Sequence, residues 1–270
     1  MILKLESFTK WDLHIDYMIT FKCNYDCSYC DSHDVNHPLH TRSPNEISDA
    51  LNYISKFYNN KNILINILGG EPFLYKKLFS IFYALDKNID AKVTTNLSFS
   101  LDFIKKNFIN TNNKVIIKAS YHPEYADPTL FIEKVKYIQS LNFDITCNIS
   151  MHPNPKNFEK AVYILKNLDC ARPHILSEMS VNGEIFGELF DYSKTQLDKI
   201  KKYSENASEK YIKATYSDKI KHYYHQELIS KNLDNFKGMR CHAGHTKLHI
   251  KENGDIYPAA CFLNTRAILG

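Results

Sequence analysis

Short apolar segments alternate with amphipathic segments along most of the chain. The apolar segments predict strands at residues 13–21, 62–68, 91–95, 114–120, 143–151 and 174–180. The intervening segments have helical periodicity and predict helices at about 44–58, 75–87, 101–110, 128–141, 155–168 and 193–206. Nearly continuous apolar strands that alternate with helices favour an α/β fold, with a parallel sheet covered by helices.

Several of these helices begin with a recognisable capping residue. Ser43 precedes Pro44, and Glu46 completes a capping box with Ser43. Asp127 stands before a proline in the same way, and Asn154 repeats the arrangement. These residues predict where the helices begin, because a side-chain oxygen at this position accepts a hydrogen bond from a backbone N–H of the first turn.

Right-handed crossovers wrap such a sheet into a doubly wound sheet or a full or partial barrel. In each of these folds ligands bind at the carboxyl ends of the strands. Three cysteines at 23–30 follow the first predicted strand, Gly69–Pro72 follow the second, Asn96 follows the third and Ser120 ends the fourth. We therefore expect these distant segments to meet at one edge of the sheet.

The last part of the chain differs in pattern from the rest. Residues 207–235 are polar and aromatic and predict a helical connector. Beyond it, Asn253-Gly254 separates two alternating segments and predicts a β-hairpin, with Cys241 and Cys261 just outside its arms. The predicted organisation is a core at 1–206, a connector at 207–235 and an extension at 236–270.

Composition and charge narrow the function classes. The net charge is +4, but the lysines lie mostly on predicted helix faces, which favours solvated surfaces over a nucleic-acid groove. No apolar run approaches the ~18 residues of a membrane span, and the N-terminus lacks the apolar region of a signal peptide. We therefore expect a cytoplasmic protein without nucleic-acid or membrane partners, in which cysteines stay reduced and serve as ligands or catalysts.

The stretch CNYDCSYC at 23–30 places three thiols on eight residues without a fourth. A closed zinc site takes four ligands, whereas a [4Fe–4S] cluster held by three thiolates leaves one iron open. A zinc site and coincidental buried thiols are the alternatives for this stretch.

Cys23, Cys27 and Cys30, with Tyr29 before the last of them, resemble the signature of radical S-adenosylmethionine (radical SAM) enzymes. The segment GGEP at 69–72 is similar to the glycine-rich motif of that family. The resemblance implies a partial (β/α)6 TIM-like barrel, a [4Fe–4S] cluster and S-adenosylmethionine. It also implies a flavodoxin- or ferredoxin-type reductant and a 5′-deoxyadenosyl radical that abstracts hydrogen from a substrate carbon.

The resemblance further implies roles for individual residues. Cys23, Cys27 and Cys30 match the cluster ligands, and Tyr29 matches the position that contacts the adenine. The cofactor-binding candidates at the strand ends are Gly69, Gly70, Glu71, Pro72, Asn96, Ser120 and Asn148, with Ser150 as an alternative to Asn148.

The C-terminal segment resembles the start of the auxiliary-cluster module called SPASM or, when shorter, twitch. Cys241, the predicted hairpin and Cys261 carry this likeness, although Cys261 falls two residues later than is usual. The further cysteines of the full module are not present before Gly270. Truncation of the chain, completion of the site by other residues and loss of the cluster all remain open.

Other polar residues are candidates for substrate chemistry. His122 and Glu124 follow the fourth strand and Glu178 lies on the predicted sixth strand, so each is a candidate catalytic residue. His33, His37 and His40 have a spacing that a second metal would suit, but a substrate-facing or solvated role is favoured. Cys147 and Cys170 lie in or near apolar segments and are expected to be core thiols.

The substrate is expected to be a small molecule, such as a sugar or cofactor precursor, or a ribosomally made peptide. About a dozen residues precede the first predicted strand, so a peptide-recognition domain of roughly 80 residues, common in peptide-modifying relatives, is not expected. A non-catalytic iron–sulfur or zinc protein is the alternative from another class, and metal content would separate the two.

Overall fold

The computed structural model describes residues 2–7, 10–30, 34–39, 42–59, 61–108, 114–179, 186–205, 212–223, 227–228, 231, 233 and 243–258. Cys241, Cys261, His33 and His40 lie outside these ranges. Among the described residues, no helix has both the length and the apolar character that crossing a lipid bilayer requires.

Within the described residues the chain forms thirteen strands and six α-helices. The strands are β1 Ile2–Ser7, β2 Leu13–Thr20, β3 Ile63–Gly69, β4 Ile89–Thr95, β5 Val115–Tyr121, β6 Asp144–Ser150, β7 Ala171–His174, β8 Ser177–Met179, β9 Phe186–Leu189, β10 Ile212–Tyr216, β11 Ile220–Tyr223, β12 Lys247–Ile250 and β13 Ile256–Tyr257. The helices are α1 Pro44–Phe57, α2 Leu78–Ala84, α3 Leu101–Asn107, α4 Pro128–Ser140, α5 Pro155–Asn167 and α6 Lys194–Glu205. A short 3₁₀ turn covers Pro72–Leu74.

The chain divides into two compact units. The first unit contains Trp11–Thr146 and His242–Gly270, and the second contains Met1–Lys10 and Cys147–Cys241. In the first unit the strand order is β13-β12-β2-β3-β4-β5, with every neighbouring pair parallel except the antiparallel pair of β12 and β13. In the second unit β6 and β7 are parallel, β1, β10 and β11 form an antiparallel sheet, and β8 pairs with β9.

The three predicted helix caps are confirmed. The Ser43 side chain accepts a hydrogen bond from the backbone N–H of Glu46, whose carboxylate accepts one from the Ser43 N–H. Asp127 caps α4 and Asn154 caps α5, each through a side-chain oxygen. Each cap satisfies backbone donors that have no partner inside the helix.

One face of the parallel sheet in the first unit packs in the core, and the other face carries polar residues. Ile15, Ile65, Val93 and Ile117 are fully buried and stand on successive strands. Their sequence neighbours point to the opposite face, because side chains alternate along a strand. The half-buried polar positions on β4 and β5 are therefore all on the face that faces away from this core.

The predicted C-terminal hairpin is confirmed, and it is more closely integrated than expected. The strands β12 and β13 pair antiparallel around Lys251–Asp255, where Gly254 has a φ of 92°. Strand β12 also pairs with β2 in parallel, with His249 opposite Asp16. The hairpin thus extends the sheet of the first unit.

The helical connector predicted for residues 207–235 is wrong for residues 212–223. These residues form β10 and β11, an antiparallel pair, and β10 also pairs with β1. The alternation of Ile212, Ala214 and Tyr216 has the period of a strand, and Ala214 is fully buried. Strand β1 lies in the segment that we expected to precede the first strand.

The predicted sixth strand at 174–180 is displaced. The strand that pairs with β6 is β7, which ends at His174. Glu178 lies on β8 instead, opposite Glu188 of β9. Two short strands therefore replace the single one that the apolar pattern indicated.

Candidate active site

The cysteine loop begins where β2 ends. Lys22 forms an isolated parallel bridge with Asp34, and the backbone N–H of Cys30 donates to the Cys27 carbonyl at 3.0 Å, which closes a turn between the second and third cysteines. Cys27 is buried, whereas Cys23 and Cys30 are half-buried. Burial raises the pKa of Cys23 and raises that of Cys27 to about 12.

Gly69 and Gly70 let the end of β3 touch the start of this loop. A Cβ at Gly69 would lie 2.1 Å from the Thr20 carbonyl oxygen, and one at Gly70 would lie 2.2 Å from the Lys22 carbonyl oxygen. The Gly70 N–H donates to the Thr20 oxygen at 2.8 Å, and the next N–H donates to the Lys22 oxygen at 2.9 Å. These glycines therefore allow a close backbone approach, within the protein, to the strand that carries the cysteine loop.

Glu71 is buried and links the end of β3 to the end of β4. Its Oε1 accepts hydrogen bonds from the Phe73 N–H and the Thr95 hydroxyl, both at 2.9 Å, and its Oε2 accepts from the Asn96 N–H at 2.7 Å. Burial raises the pKa of Glu71 to about 7, although these three donors oppose the shift. Pro72, also buried, begins the 3₁₀ turn that follows.

Asn96 contacts the cysteine loop directly. Its Nδ2 donates to the Asn24 Oδ1 at 2.9 Å, and its own Oδ1 accepts from the Ser98 N–H. The amide is thereby held by a contact on either side. Asn24 lies between the first and second cysteines, so the end of β4 orients the loop as well as bordering it.

A cavity of about 150 Å³ lies at the carboxyl ends of β2, β3, β4 and β5. Eight predicted site residues line it: Cys23, Cys27, Cys30, Gly69, Gly70, Asn96, Ser120 and His122. Tyr25, Thr94 and Thr95 line it as well and were not predicted. The expected meeting of distant segments at one edge of the sheet is confirmed for these residues.

His122 stands between two residues of the cysteine loop. Its Nδ1 lies 2.9 Å from the Tyr29 hydroxyl and 3.6 Å from the Cys27 sulfur. The imidazole stacks against the Tyr29 ring with an interplanar angle of 11°. Tyr29, predicted to contact adenine, is thus held by the residue that follows β5.

Glu124 also binds the cysteine loop. Its carboxylate accepts hydrogen bonds from the Ser28 N–H at 2.9 Å and the Ser28 hydroxyl at 2.6 Å. Beside it, the Tyr125 hydroxyl donates to the Asp26 carbonyl at 2.7 Å, and the Tyr125 ring stacks on Tyr25 at 5.0 Å. Sequence reasoning missed both tyrosines. The signal was an aromatic residue in each of two segments that follow predicted strands, the cysteine loop and the segment after β5.

The remaining predicted residues lie elsewhere or are not described. Asn148 and Glu178 belong to the second unit, and their predicted roles stay predictions. Cys241 and Cys261 lie outside the described residues, so the auxiliary cluster also stays a prediction. His37 Nε2 lies within hydrogen-bond distance of the Glu252 carboxylate, which also accepts from the Phe21 N–H.

The two other cysteines that the structure describes, Cys147 and Cys170, lie in the second unit. Cys147 is fully buried, as expected of a core thiol, and its sulfur lies 3.7 Å from that of the half-buried Cys170.

The donor set of the cavity fits a [4Fe–4S] cluster. Three thiols border one cavity, and each thiolate of such a cluster binds a different iron. Across the described part of the chain, no three His, Cys, Asp or Glu side chains are placed so that they could hold a single metal ion. A cubane cluster does not require its ligands to converge on one point.

Comparison with solved structures gives the fold. Streptococcus suis SuiB, in a crystal structure bound to precursor peptide SuiA, matches 96% of this chain with a TM-score of 0.62 and 17% identity. The chain spans 62% of the length of SuiB. The crystal structure of BtrN in complex with AdoMet and 2-DOIA gives a TM-score of 0.44 and 13% identity, over 97% of this chain and 79% of BtrN. The SuiB match and the parallel sheet confirm the predicted α/β fold of the partial (β/α)6 type.

Sequence comparison gives the family. No curated protein matches the sequence significantly. The model of the Radical SAM superfamily matches residues 17–154, which include the cysteine loop, Gly69–Pro72, Asn96 and Ser120. Because that match covers just over half of the chain, this protein belongs to the radical SAM superfamily.

Proposed function

We propose that this chain reductively cleaves S-adenosylmethionine at a [4Fe–4S] cluster and removes a hydrogen atom from a substrate carbon. Membership of the superfamily implies an enzyme with this cluster and this cofactor. The observation that carries the proposal is the shared cavity of Cys23, Cys27 and Cys30 with Gly69 and Gly70. When bound, the cluster and cofactor supply an electron and a 5′-deoxyadenosyl radical.

Residues of this chain are proposed to hold the cluster and to surround the cavity next to it. Cys23, Cys27 and Cys30 would hold three irons of the cluster as thiolates, and metal binding would drive the deprotonation that burial alone opposes. Backbone contacts of Gly70 place the end of β3 against the loop. Cys27 and Glu71 are buried, and a reactive radical intermediate requires a site from which water is excluded.

His122 remains the candidate for a direct contact with cofactor or substrate, because it lines the cavity. Glu124 is better explained as a positioning residue, since both of its carboxylate oxygens are engaged by Ser28. Glu178 remains a candidate substrate contact on the sequence argument alone.

The proposed substrate is either a ribosomal peptide or a small molecule such as a sugar or cofactor precursor. SuiB was crystallised with a precursor peptide, and this supports testing peptides first. At 17% identity the likeness concerns the fold, so small molecules belong in the same test. The proposed electron donor is a flavodoxin- or ferredoxin-type protein.

An auxiliary cluster bound by Cys241 and Cys261 is also part of the proposal. It is supported by the position of both cysteines outside the hairpin of β12 and β13. Iron analysis tests it: the wild type should hold about eight irons per chain, and Cys241→Ala about four. Four irons in both proteins would contradict an auxiliary cluster.

Anaerobic reconstitution with iron and sulfide tests the main proposal. With dithionite and S-adenosylmethionine, the wild type should yield 5′-deoxyadenosine, and Cys27→Ala should yield none. Cys170→Ala is the matched control, because this half-buried thiol lies in the second unit, and it should retain cluster and product. One zinc per chain without labile sulfide would contradict the proposal and favour a non-catalytic protein.

A further inference from the structure

Polar side chains continue from the cavity along the same face of the sheet. Lys92 stands two residues before Thr94 on β4, and Lys118 stands two residues before Ser120 on β5. Alternation places each lysine on the face of the cavity residue that follows it, about 7 Å away along the strand. Thr94 pairs in register with Lys118, so both lysines belong to adjacent rows of one surface.

These two lysines are desolvated and near each other. Burial lowers the pKa of Lys92, and burial together with the Lys92 charge lowers the pKa of Lys118 to about 8. Within the described residues, neither ammonium group has a hydrogen bond or an ion pair. Lys118 therefore stays mostly protonated at pH 7, and no described carboxylate contacts either ammonium group.

Among the residues that the structure describes, the carboxylate that acts on both lysines is that of Asp16, and it is already engaged. Asp16 accepts a hydrogen bond from the Asn66 amide at 2.9 Å and forms an ion pair with Lys247 at 2.9 Å. Burial opposes its ionisation, but Lys247 and the Asn66 amide outweigh burial and hold the pKa of Asp16 below its usual value. Three ammonium groups thus face one carboxylate.

The neighbouring histidines do not change this balance. Burial lowers the pKa of His14 on β2 and of His249 on β12, so both are neutral at pH 7. Asp90, two residues before Lys92 on β4, accepts a hydrogen bond from the Trp11 indole at 2.8 Å. The surface next to the cavity therefore keeps an excess of positive charge.

Desolvated like charges without a contacting counterion cost folding free energy. A purely structural role would be met at lower cost by apolar side chains of similar volume, such as methionine. Such a cost is commonly retained where a ligand supplies the missing charge.

We propose that Lys92 and Lys118 form a subsite for an anionic group of the substrate, a carboxylate or a phosphate. This inference rests on the proposed radical reaction, since the cavity next to the subsite is where the hydrogen atom is removed. The separation of about 7 Å between rows places the anionic group several bonds from the reacting carbon. The substrate class is therefore one with a carboxylate or phosphate remote from the modified position.

Anion binding to the reconstituted holoenzyme with S-adenosylmethionine bound tests this subsite. The probes are inorganic phosphate, followed by ³¹P line width, and ¹³C-labelled acetate, followed by ¹³C line width. The variants are Lys92→Met and Lys118→Met, which keep side-chain volume and remove the charge. Lys105→Met is the matched control, because Lys105 is an exposed lysine on α3 and its loss changes the net charge equally.

The wild type and Lys105→Met should bind at least one probe. Lys92→Met and Lys118→Met should each bind that probe at least tenfold more weakly. Preference for phosphate or for acetate identifies the anionic group. Absence of binding by the wild type, or binding by Lys92→Met and Lys118→Met that is as tight as that of the wild type, would overturn the subsite. A tenfold loss of S-adenosylmethionine affinity in both variants, with no probe binding, would assign the lysines to the cofactor and also overturn it.

Two measurements keep the test decisive. Melting temperatures of the variants should equal or exceed that of the wild type, since a desolvated charge is removed, and Lys118→Gln replaces Lys118→Met if the latter does not fold. Formation of 5′-deoxyadenosine by the wild type is measured separately. Its absence would contradict the proposed function, whereas the anion titrations report on the subsite alone.

Discussion

The Glu71 carboxylate accepts a hydrogen bond from the Asn96 backbone N–H at 2.7 Å, across 25 residues of sequence. The same carboxylate accepts from Phe73 and Thr95, and Asn96 in turn donates to Asn24 of the cysteine loop. One buried acid therefore connects the ends of two strands to the loop that carries the cluster ligands.

Replacing Glu71 should destabilise the protein strongly. Glu71→Ala leaves the donors of Phe73, Thr95 and Asn96 buried without an acceptor, at an expected cost of at least ~3 kcal/mol in the free energy of unfolding. Urea unfolding measures this. Glu133→Ala, at an exposed position on α4, should change stability by less than about 0.5 kcal/mol. Equal effects of the two substitutions would contradict the connecting role of Glu71.

The pH dependence of stability should report the ionisation of Glu71. Its pKa is about 7 in the folded protein against 4.5 as its ordinary value, so the folded state holds the proton more tightly. The stabilisation is therefore full below pH 4.5 and is lost as pH rises to about 7.

Urea unfolding of the wild type and Glu71→Gln at several pH values isolates this effect, because glutamine does not titrate. The wild-type stability minus the variant stability should fall between about pH 4.5 and 7 and stay level above pH 7. A difference that rises with pH would mean that the three donors keep the carboxylate ionised.

Gly70→Ala should displace the cysteine loop. The new Cβ would lie 2.2 Å from the Lys22 carbonyl oxygen and 2.6 Å from that of Phe21, and backbone atoms leave little room to relax. We expect a loss of stability of about 3 kcal/mol or more and poor cluster incorporation.

Gly254→Ala is the comparison for this change. There the Cβ would meet the guanidinium of Arg42, the end of a flexible side chain, at a φ of 92°. We expect a cost of about 1–2 kcal/mol and normal cluster incorporation. Melting temperature and iron content measure both variants, and a milder effect of Gly70→Ala would refute the close approach.

Glu124→Gln should weaken retention of the cluster without changing the chemistry at it. The variant keeps the shape of the side chain but loses its charge, so its hydrogen bonds with Ser28 become weaker neutral ones and the loop is held less tightly at the end of β5. We expect cluster loss under chelator to accelerate about threefold to tenfold, the change expected for ~1 kcal/mol.

Product per cluster decides between positioning and catalysis at Glu124. A positioning residue leaves 5′-deoxyadenosine per cluster, and its pH profile, close to the wild type. Less product per cluster together with an altered pH profile, at normal cluster retention, would show that Glu124 takes part in proton transfer. Glu133→Gln should match the wild type in every measurement.

Much of the site was predictable from local sequence. Both the closely spaced cysteines, Cys23, Cys27 and Cys30, and the glycines at 69–70 follow predicted strands. Parallel strands bring their carboxyl ends to one edge of the sheet, so these segments were expected to meet there. Caps such as Ser43 were predictable because their hydrogen bonds span only three residues of sequence.

Other secondary-structure elements could not be predicted from local sequence. The segment 212–223 contains lysines and tyrosines that suit a helix surface as well as an exposed strand, and its pairing with β1 decides the outcome. Strand β8 was merged with β7 because both are short, and only pairing with β9 separates them.

The sequence by itself determined the elements whose interactions are local: the alternation of strands and helices, the helix starts, the hairpin at Gly254 and the ligand spacing of the cysteine loop. Tertiary structure alone decided which groups meet across long separations. The contact of Glu124 with Ser28 spans 96 residues, and that of Glu252 with Phe21 spans 231. The uncompensated charge of Lys92 and Lys118 depends on strand register and on where Asp16 is already engaged. Such contacts depend on how distant strands are aligned, and no short window of sequence contains both partners.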